Sequence, residues 1–558
     1  MIAHFRPMLF AFLFLALGVY IGDLYHYNSD TYFYVALIIF GIFVILMLVY
    51  LIARFKVLSW FWTNKYKILV CFVCMMIGVG MYAIEFNTKA SNFESDGVTL
   101  YSVVGVVANS YQDRGDYINI FLQDVEIDMS NSSYEDKVDW GTKAELNGEV
   151  VEEDDEEEKN VLKLKDKVLL YIMITDTSDN NPIYDIRPGD VVAVNAVITN
   201  THIFGETEHN SYAYKHKYQH TIQINDEDVL YEEGTMGIMD SVREQMRLVL
   251  HESMADDMAE LAYSVLTGDA TDVDETIMSN FLRTGITHII AVSGMNVVFI
   301  AAILRLLMRP FKLKEKWQII IIIIILILYC ALCGYAVPVT RATLMYVFLM
   351  FGKIFGYQTD GLSSVSLSGI VLMVISPLVV FDVSFLLSFS SVYAIMMLMP
   401  VMQKVYKGWK FQGVWDAISM TIAAQIGTLP FLVNTFSEIS LIGLVANVVI
   451  VPAFGYVYMV LFVAIFLALI LPIFKYVLWL VQWGLWLTNY ASAILASVSF
   501  AVSKFPKFYD PIIFTYLLAM FGCSYNCLVK NKTRIVAVSV LGVITLIGLI
   551  LSVIYLGL

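Results

Sequence analysis

Long runs of apolar residues, separated by short polar stretches, occupy the beginning and the second half of the chain. A run of about 20 apolar residues crosses the ~30 Å hydrocarbon core of a bilayer, and a helix satisfies all of its own backbone hydrogen bonds there. The runs are Met8–Gly22, Tyr32–Ala53, Ile68–Phe86, His288–Met308, Trp317–Gly334, Leu362–Phe381, Phe385–Met402, Ile418–Phe436, Ile439–Val457, Met459–Phe474, Val477–Phe500, Pro511–Leu528 and Ile535–Leu556. They predict a polytopic α-helical membrane protein with about 12–14 spans, some of them broken.

Between residues 97 and 235 the apolar residues fall into short segments, several of period two, which is typical of strands. The clearest segments are Ser102–Ala108, Tyr117–Val125, Val168–Thr175 and Val191–Thr199. Arg187-Pro-Gly-Asp190 is a turn signal, and the acidic block at 152–158 is typical of a loop between strands. This region is therefore predicted to be a small all-β domain, a barrel or a sandwich.

Residues 236–286 have apolar side chains at helical spacing with charges between them. Amphipathic helices at the membrane surface, or packed against the next span, are expected. The chain then divides into a three-span segment at 1–96, the β domain at 97–235, interfacial helices at 236–286 and a membrane domain at 287–558.

Basic residues in the short loops predict the orientation, because lysine and arginine favour the cytoplasmic side. Those between the second and third runs are Arg54, Lys56, Lys65 and Lys67. Asp23 and Asp30 lie between the first and second runs instead. We therefore expect a cytoplasmic N-terminus, a β domain outside the cell and residence in the cytoplasmic (inner) membrane.

Composition supports the membrane assignment and locates the acidity of the chain. Of 558 residues, 58% are hydrophobic and 15% charged, against roughly 45–50% and about 25% in soluble domains. The net charge is −15, but residues 97–235 hold 29 Asp and Glu against 10 Lys and Arg, which is −19 and leaves +4 for the rest. An ordinary soluble enzyme is excluded, and the acidity belongs to the β domain.

Candidate catalytic chemistry is sparse. The cysteines form three close pairs inside apolar runs, where packing is the expected role: Cys71 and Cys74, Cys330 and Cys333, Cys523 and Cys527. His216 and His220 are four residues apart and are expected on a surface helix, since no carboxylate completes a metal site beside them. We expect no metal, no cofactor and no catalytic residues.

Polar and helix-breaking residues instead collect inside the membrane domain. They are His288, Ser293, Gly294, Asn296, Pro338, Arg341, Asp382, Gln425, Asn447 and Pro452. Pro338 interrupts an apolar run, removes a backbone donor and disfavours helix at Val337. Arginine within a membrane segment indicates a functional site by default, although a helix-end charge or an ion pair with Asp382 is the simpler alternative for Arg341.

Several of these residues stand in motifs that resemble those of the ComEC family, the DNA-internalisation channels of bacterial competence. The motifs are Gly268-Asp269, Phe281-Leu-Arg-Thr-Gly285-Ile-Thr-His288-Ile-Ile-Ala-Val-Ser293-Gly294-Met-Asn296, Arg341-Ala342, Phe381-Asp382-Val-Ser-Phe385-Leu-Leu-Ser388-Phe389, Gln425-Ile-Gly-Thr-Leu-Pro430 and Asn447-Val-Val-Ile-Val-Pro452. The β domain resembles the OB-like domain of that family, notably in Arg187-Pro-Gly-Asp190 and Asn210–Ile222.

The resemblance implies a channel that passes single-stranded DNA into the cytoplasm during natural transformation. Arg341 would pair with phosphates, and the other polar residues of the membrane domain would hydrogen-bond the strand. Candidate DNA contacts in the β domain are Lys163, Lys165, Lys167, Lys215 and Lys217. Expected partners are a DNA receptor protein, a cytoplasmic helicase and a separate nuclease.

This chain departs from the family pattern at three places. Asn296 stands where the family usually has histidine, so a proton-linked role there is in doubt. Leu386 replaces a common glutamine. No motif of the metallo-β-lactamase-like domain that many members carry follows the membrane domain, so we expect another protein to supply nuclease activity.

Two other functions fit the same residues. Discontinuous helices equally suit a secondary transporter of a small anionic or lipid-linked substrate. Alternatively, the polar residues pack helices within a noncatalytic membrane scaffold.

Overall fold

A computed structural model describes residues 7–27, 70–85, 99–108, 112–113, 117–128, 161–164, 167–175, 183, 186–200, 218–356, 360–498 and 501–504, with isolated positions between 513 and 520. The chain forms two compact units, one of Met1–Phe86 with Val242–Leu558 and one of Asn87–Ser241.

The smaller unit is a β-barrel. Its strands are β1 (Leu100–Val107), β2 (Gln112–Asp113), β3 (Tyr117–Asp128), β4 (Val161–Lys163), β5 (Lys167–Met173), β6 (Val191–Asn200), β7 (Tyr218–Asn225) and β8 (Leu230–Glu232). The order β1-β3-β5-β7-β6 closes because β6 also pairs with β1, and β5–β7 is the parallel pair among these. The strands expected from the alternating pattern are thus confirmed, and barrel rather than sandwich is the outcome.

Alternation places one side of each strand in the barrel core. Ile118, Ile120 and Leu122 are fully buried in the cluster that fills it. The predicted turn ends in Asp190, whose carboxylate accepts hydrogen bonds from Arg187 N at 2.7 Å and Gly234 N at 3.0 Å. His220 lies on β7 and is buried, so the expectation of a surface helix there was wrong. The acidic block lies outside the described residues.

The larger unit is helical. Its helices are α1 (Pro7–Tyr27), α2 (Val70–Glu85), α3 (Ile238–His251), α4 (Asp256–Thr267), α5 (Glu275–Arg283), α6 (Gly294–Met308), α7 (Glu315–Leu332), α8 (Val337–Ile354), α9 (Gly361–Ile375), α10 (Val383–Met402), α11 (Gln412–Phe436), α12 (Gly443–Ala468) and α13 (Lys475–Ala496). Two short strands, β9 (Glu438–Ser440) and β10 (Val502–Lys504), pair antiparallel. Six of the described helices are long and apolar enough to cross a membrane: α6, extended to Phe311, with α7, α8, α10, α11 and α12.

Several predicted spans have different limits in the structure. Two of them, 439–457 and 459–474, form one helix, α12, because the apolar run continues without a break. The span expected at 362–381 ends as α9 at Ile375, before Pro377 begins a short 3-10 helix. The run at 477–500 forms α13, which is not among the six. The runs at 32–53 and 535–556 lie outside the described residues, as does nearly all of 511–528, and the count of about 12–14 stays a prediction.

One span, α8, was not predicted, because Thr340, Arg341 and Lys353 dilute its apolar character. Pro338 stands in its first turn, where a missing N–H costs nothing. Helix was expected to be disfavoured at Val337, but α8 begins there. The break that Pro338 indicated lies just upstream, where Gly334 and Tyr335 both have positive φ.

Helices α10 and α11 approach closely at a glycine. A Cβ on Gly427 would lie 2.4 Å from the Cβ of Ala394 and 2.6 Å from Ser390 O. Such distances are below contact, so the two helices would have to separate to accept any side chain at this position.

We therefore expect Gly427→Ala to destabilise the protein by about 1–3 kcal/mol through overpacking. The matched control is Gly413→Ala in the same helix, where a Cβ would meet nothing within 4 Å. Thermal unfolding of the detergent-solubilised protein compares the two. Equal midpoints for both variants would contradict the close contact.

A charged cluster fastens α3 to α4. Arg247 donates from Nε to Glu260 Oε1 at 2.9 Å, and its Nη2 also pairs with Asp272 at 2.5 Å. His251 lies between two carboxylates, with Nδ1 2.9 Å from Asp256 Oδ1 and Nε2 2.6 Å from Glu260 Oε1. A neutral imidazole has a single N–H, so both contacts require the protonated ring.

The stability of this contact is expected to fall as the pH rises. Burial acts to lower the pKa of His251, but hydrogen bonds to Asp256 and Glu260 outweigh it and raise that pKa above 6.5. A raised folded-state pKa means that the stabilisation is complete below pH 6.5 and is lost as the pH rises through the raised value. It is on the order of 0.5–1 kcal/mol for a partly exposed pair.

His251→Gln tests this pH dependence, because glutamine keeps polarity but does not titrate. The unfolding midpoint of wild type should fall more than that of the variant between about pH 6 and about pH 8.5. Because both proteins contain the other titrating groups, including Arg247 and Asp272, the contributions of these groups to the pH dependence cancel in the comparison. Parallel pH profiles for wild type and His251→Gln would rule out the protonated bridge.

Candidate functional site

Arg341 lies in the first turns of α8 and is buried, with 6% of its surface exposed. Its Nη1 donates to Ser388 O at 2.8 Å, and its guanidinium carbon lies 5.6 Å from the centre of the Phe389 ring. Nε is buried without a hydrogen-bond partner among the described residues. A guanidinium thus sits in the membrane domain with part of its donor capacity unused.

Asp382, the acidic partner considered for this arginine, has a different role. Asp382 caps α10, and its carboxylate accepts a hydrogen bond from Ser384 N at 2.6 Å. In the described part of the chain no salt bridge joins it to Arg341. The alternative of an Arg341–Asp382 ion pair is therefore wrong for this structure.

The amino end of α6 lies against the same guanidinium. Ser293 caps the helix by accepting from Met295 N at 3.3 Å. A Cβ on Gly294 would lie 2.8 Å from Nη2 of Arg341 and 3.2 Å from Ala342 Cβ, so this position has no room for a side chain. The motif residues Ser293, Gly294, Pro338 and Arg341 therefore come together where α6 and α8 meet.

Asn296 faces a different neighbour. It is 1% exposed, and its Nδ2 donates to Val265 O of α4 at 3.3 Å. Close to it, the hydroxyls of Tyr329 and Tyr458 hydrogen-bond at 3.0 Å between α7 and α12. This buried polar group joins four helices.

A second set of motif residues gathers around Gly443. Asn447 Nδ2 donates to Gly443 O at 2.6 Å, and a Cβ on Gly443 would lie 3.3 Å from Gln425 Nε2. A Cβ on Gly285 would lie 3.5 Å from the Cα of Gly443, beside Ser440. Gln425 of α11 and Asn447 of α12 thus both lie beside Gly443, next to the loop that precedes α6.

Two predicted residues stand apart from these contacts. His288 lies in a short 3-10 helix and is exposed. Pro452 lies inside α12 and is exposed there, so it does not break that helix. Within the described residues no hydrogen bond joins the Arg341 group to the Gly443 group.

Aromatic residues around Arg341 were missing from the predicted site. Phe389 lies against the guanidinium. The centre of its ring is 4.2 Å from that of Phe385 and 5.4 Å from that of Phe12 of α1, and both pairs are stacked. Phe12 fits against Gly369, where a Cβ would lie 2.3 Å from its ring. Phe389 belongs to a motif already noted, whereas nothing in the sequence marks Phe12.

The candidate lysines of the barrel are only partly described. Lys163 is exposed and pairs with Glu126 at 2.8 Å, and this partner raises its pKa. Lys167 lies at the start of β5 and is half-buried. The remaining three, Lys165, Lys215 and Lys217, lie outside the described residues. Lys163 therefore offers a charge that an acidic neighbour already balances.

Buried cysteines make contacts typical of packing. Cys330 Sγ donates to Thr343 Oγ1 at 3.2 Å, and Cys333 Sγ lies 3.6 Å from Leu266 O. In the described ranges, no group of three or more His, Cys, Asp or Glu side chains is arranged to hold a metal ion.

Together these features define a class: a multi-pass helical membrane protein with a β-barrel and, in its membrane domain, a buried arginine that has no acidic partner among the described residues. Residues 265–528 match the family model described as "Competence protein". This match confirms the resemblance to the ComEC family for residues 265–528.

Two curated proteins are similar over part of their length. ComE operon protein 3 of Bacillus subtilis (strain 168) is 24% identical over 216 residues, which is 39% of this chain and 27% of that protein. Recombination protein 2 of Haemophilus influenzae is 23% identical over 210 residues, 35% of this chain and again 27% of the relative. The chain thus spans about a quarter of the length of these relatives. No solved structure matches it.

Proposed function

We propose that this protein passes single-stranded DNA across the cytoplasmic membrane during natural transformation. The observation that carries the proposal is Arg341, a buried guanidinium without an acidic partner among the described residues, within the region that matches the competence family. The family supports a role in DNA uptake in competence, and the strand and the direction are part of the proposal.

The physical demand on such a protein is severe. Each nucleotide brings a negative phosphate, and transferring an unpaired charge into hydrocarbon is very costly. A path must therefore offer cations or hydrogen-bond donors at membrane depth. Arg341, Ser293, Asn296, Gln425 and Asn447 are the residues proposed for this path, together with His288 at its exposed end.

The barrel is proposed to guide the strand from outside the cell. Its order β1-β3-β5-β7-β6, closed by β1–β6, is a five-stranded arrangement that supports an OB-like domain. OB-like domains bind single strands through aromatic stacking and a basic groove. With a net charge of −19 over residues 97–235, this barrel is expected to bind weakly and only at low salt.

The proposed partners follow from the physical steps that DNA uptake requires. Pulling a strand inward requires a motor, proposed as a cytoplasmic helicase, and presenting it requires a DNA receptor outside. Degrading the second strand is assigned to a separate nuclease. The protein itself is proposed to be a channel and not an enzyme.

The proposal is tested by DNA uptake in a strain that lacks the gene. Labelled DNA is supplied, and surface-bound label is separated from label that has become resistant to external nuclease. Normal binding with no protected DNA, restored by the intact gene, is the expected result. Undiminished protected DNA in the deletion strain would refute the channel and leave a transporter or a scaffold as the explanation.

A further inference from the structure

We infer that Arg341 and the amino end of α6 form a binding site for one phosphate group, supplied by the phosphodiester backbone of a single strand. The inference rests on the proposed function for the identity of the strand. The anion site itself depends only on the contacts of these residues.

The first step is the uncompensated charge. Arg341 is 6% exposed, and Nε has no partner in the described part of the chain. Its Nη1 donates to a backbone carbonyl, Ser388 O, and its guanidinium lies over the ring of Phe389. Both interactions orient the guanidinium, but neither carries a full negative charge to balance it. Such a buried cation is costly unless an anion joins it.

The second step is the neighbour of this cation. The amino end of α6, a helix of 15 residues, carries a positive partial charge. Ser293 accepts hydrogen bonds there from Met295 N and Asn296 N, and the helix has no acidic residue in its first turn. Gly294 brings this end so close that a Cβ there would lie 2.8 Å from Arg341 Nη2. Two positive groups therefore lie against each other, and among the described residues no acidic side chain is paired with either of them. Helix amino ends and arginine forks are both common phosphate ligands.

The third step concerns the kind of ligand. The donors are one guanidinium and one helix end, which suit a single phosphate with one negative charge and provide no contact that reads a base. The site is therefore expected to ignore sequence. A channel needs this property, because every nucleotide must bind and leave.

The experiment uses the full-length protein in neutral detergent with three probes: an abasic deoxyribose-phosphate oligomer, an oligothymidylate of equal length, and inorganic phosphate. Each is titrated against wild type, Arg341→Gln, Arg341→Lys and Gly294→Ala. Arg305→Gln is the control, because Arg305 lies near the far end of α6 and contacts Tyr346 and Met350.

We expect both oligomers to bind wild type with similar, salt-dependent affinity, and inorganic phosphate to compete at high concentration. Arg341→Gln should weaken binding about 10-fold or more. The affinities of Arg341→Lys and Gly294→Ala should lie between those of wild type and Arg341→Gln. Arg305→Gln should match wild type. The thermal unfolding midpoint of each variant identifies any that is misfolded. If Arg341→Gln does not fold, the affinity of Arg341→Lys decides the result.

Several results would overturn the inference. Equal affinity of wild type and both Arg341 variants would remove the site. A response to phosphatidylglycerol vesicles alone, with none to the oligomers or phosphate, would make it a lipid headgroup site. Preference for oligothymidylate over the abasic oligomer would show base contacts that these residues do not provide.

The two proposals fail separately. If binding depends on Arg341 while a deletion strain takes up DNA normally, the anion site stands and the channel does not. If deletion abolishes uptake while Arg341→Gln binds as wild type does, the channel stands and the site does not.

Discussion

Replacing Arg341 by alanine is expected to lower the labelled DNA that reaches the cytoplasm by about 100-fold. The guanidinium is the buried cation of the membrane domain for which no acidic partner is present among the described residues. Removing one member of a buried charge pair costs roughly 2–5 kcal/mol, and about 2.7 kcal/mol corresponds to a factor of 100. A phosphate bound at Arg341 would lose that stabilisation.

Two control variants separate the effect of the charge at position 341 from that of its location. Arg341→Lys keeps the charge but not the planar fork and should retain part of the uptake. Arg305→Ala removes another arginine of the membrane domain, outside the site, and should leave uptake within about two-fold. Protein amounts are equalised by immunoblotting. Full uptake by Arg341→Ala at equal protein would remove this residue from the path.

Replacing Glu260 by alanine is expected to destabilise the protein by about 2–4 kcal/mol. Glu260 is 8% exposed, and one of its oxygens accepts from both Arg247 and His251. Without it, the acidic partner that remains among the described residues is Asp272 for Arg247 and the exposed Asp256 for His251. Two cationic groups would then remain in a pocket that has lost its central anion.

Glu252→Ala is the control for this prediction. Glu252 pairs with Lys475 at the surface and is well exposed, so its loss should cost no more than about 1 kcal/mol. Thermal unfolding of the solubilised protein measures both variants. The prediction fails if the two midpoints drop equally, because burial would then confer no additional stability.

Periodicity identified most elements correctly because each kind of burial leaves a local pattern. Alternating residues of β3 place Ile118, Ile120 and Leu122 in the barrel, as a period of two requires. Within the described residues, the long apolar runs form helices. Helix α8 was not predicted, because Thr340, Arg341 and Lys353 lower its apolar content.

Helix ends were predicted less well, because they depend on neighbours. A span of 26 residues, α12, is longer than the ~30 Å core requires, so a length criterion divided it in two. Its buried Tyr458 is accommodated by the hydroxyl of Tyr329 on α7, which no local pattern reveals. The proline at 452 suggested a break, yet the helix continues through it.

Motif spacing alone was enough to place Ser293, Gly294 and Arg341 among the candidate residues, since each departs from an apolar background. The neighbours of Arg341 were known only from the tertiary structure. Asp382 caps a helix and does not pair with Arg341, whereas Phe389 lies against the guanidinium. The tertiary structure also brought Phe12, from the first helix of the chain, onto the ring of Phe389. Local sequence determines which residues a segment buries, because burial follows helix and strand periods. Partners across hundreds of residues depend on how whole helices pack, and here glycines at close approaches decided that packing.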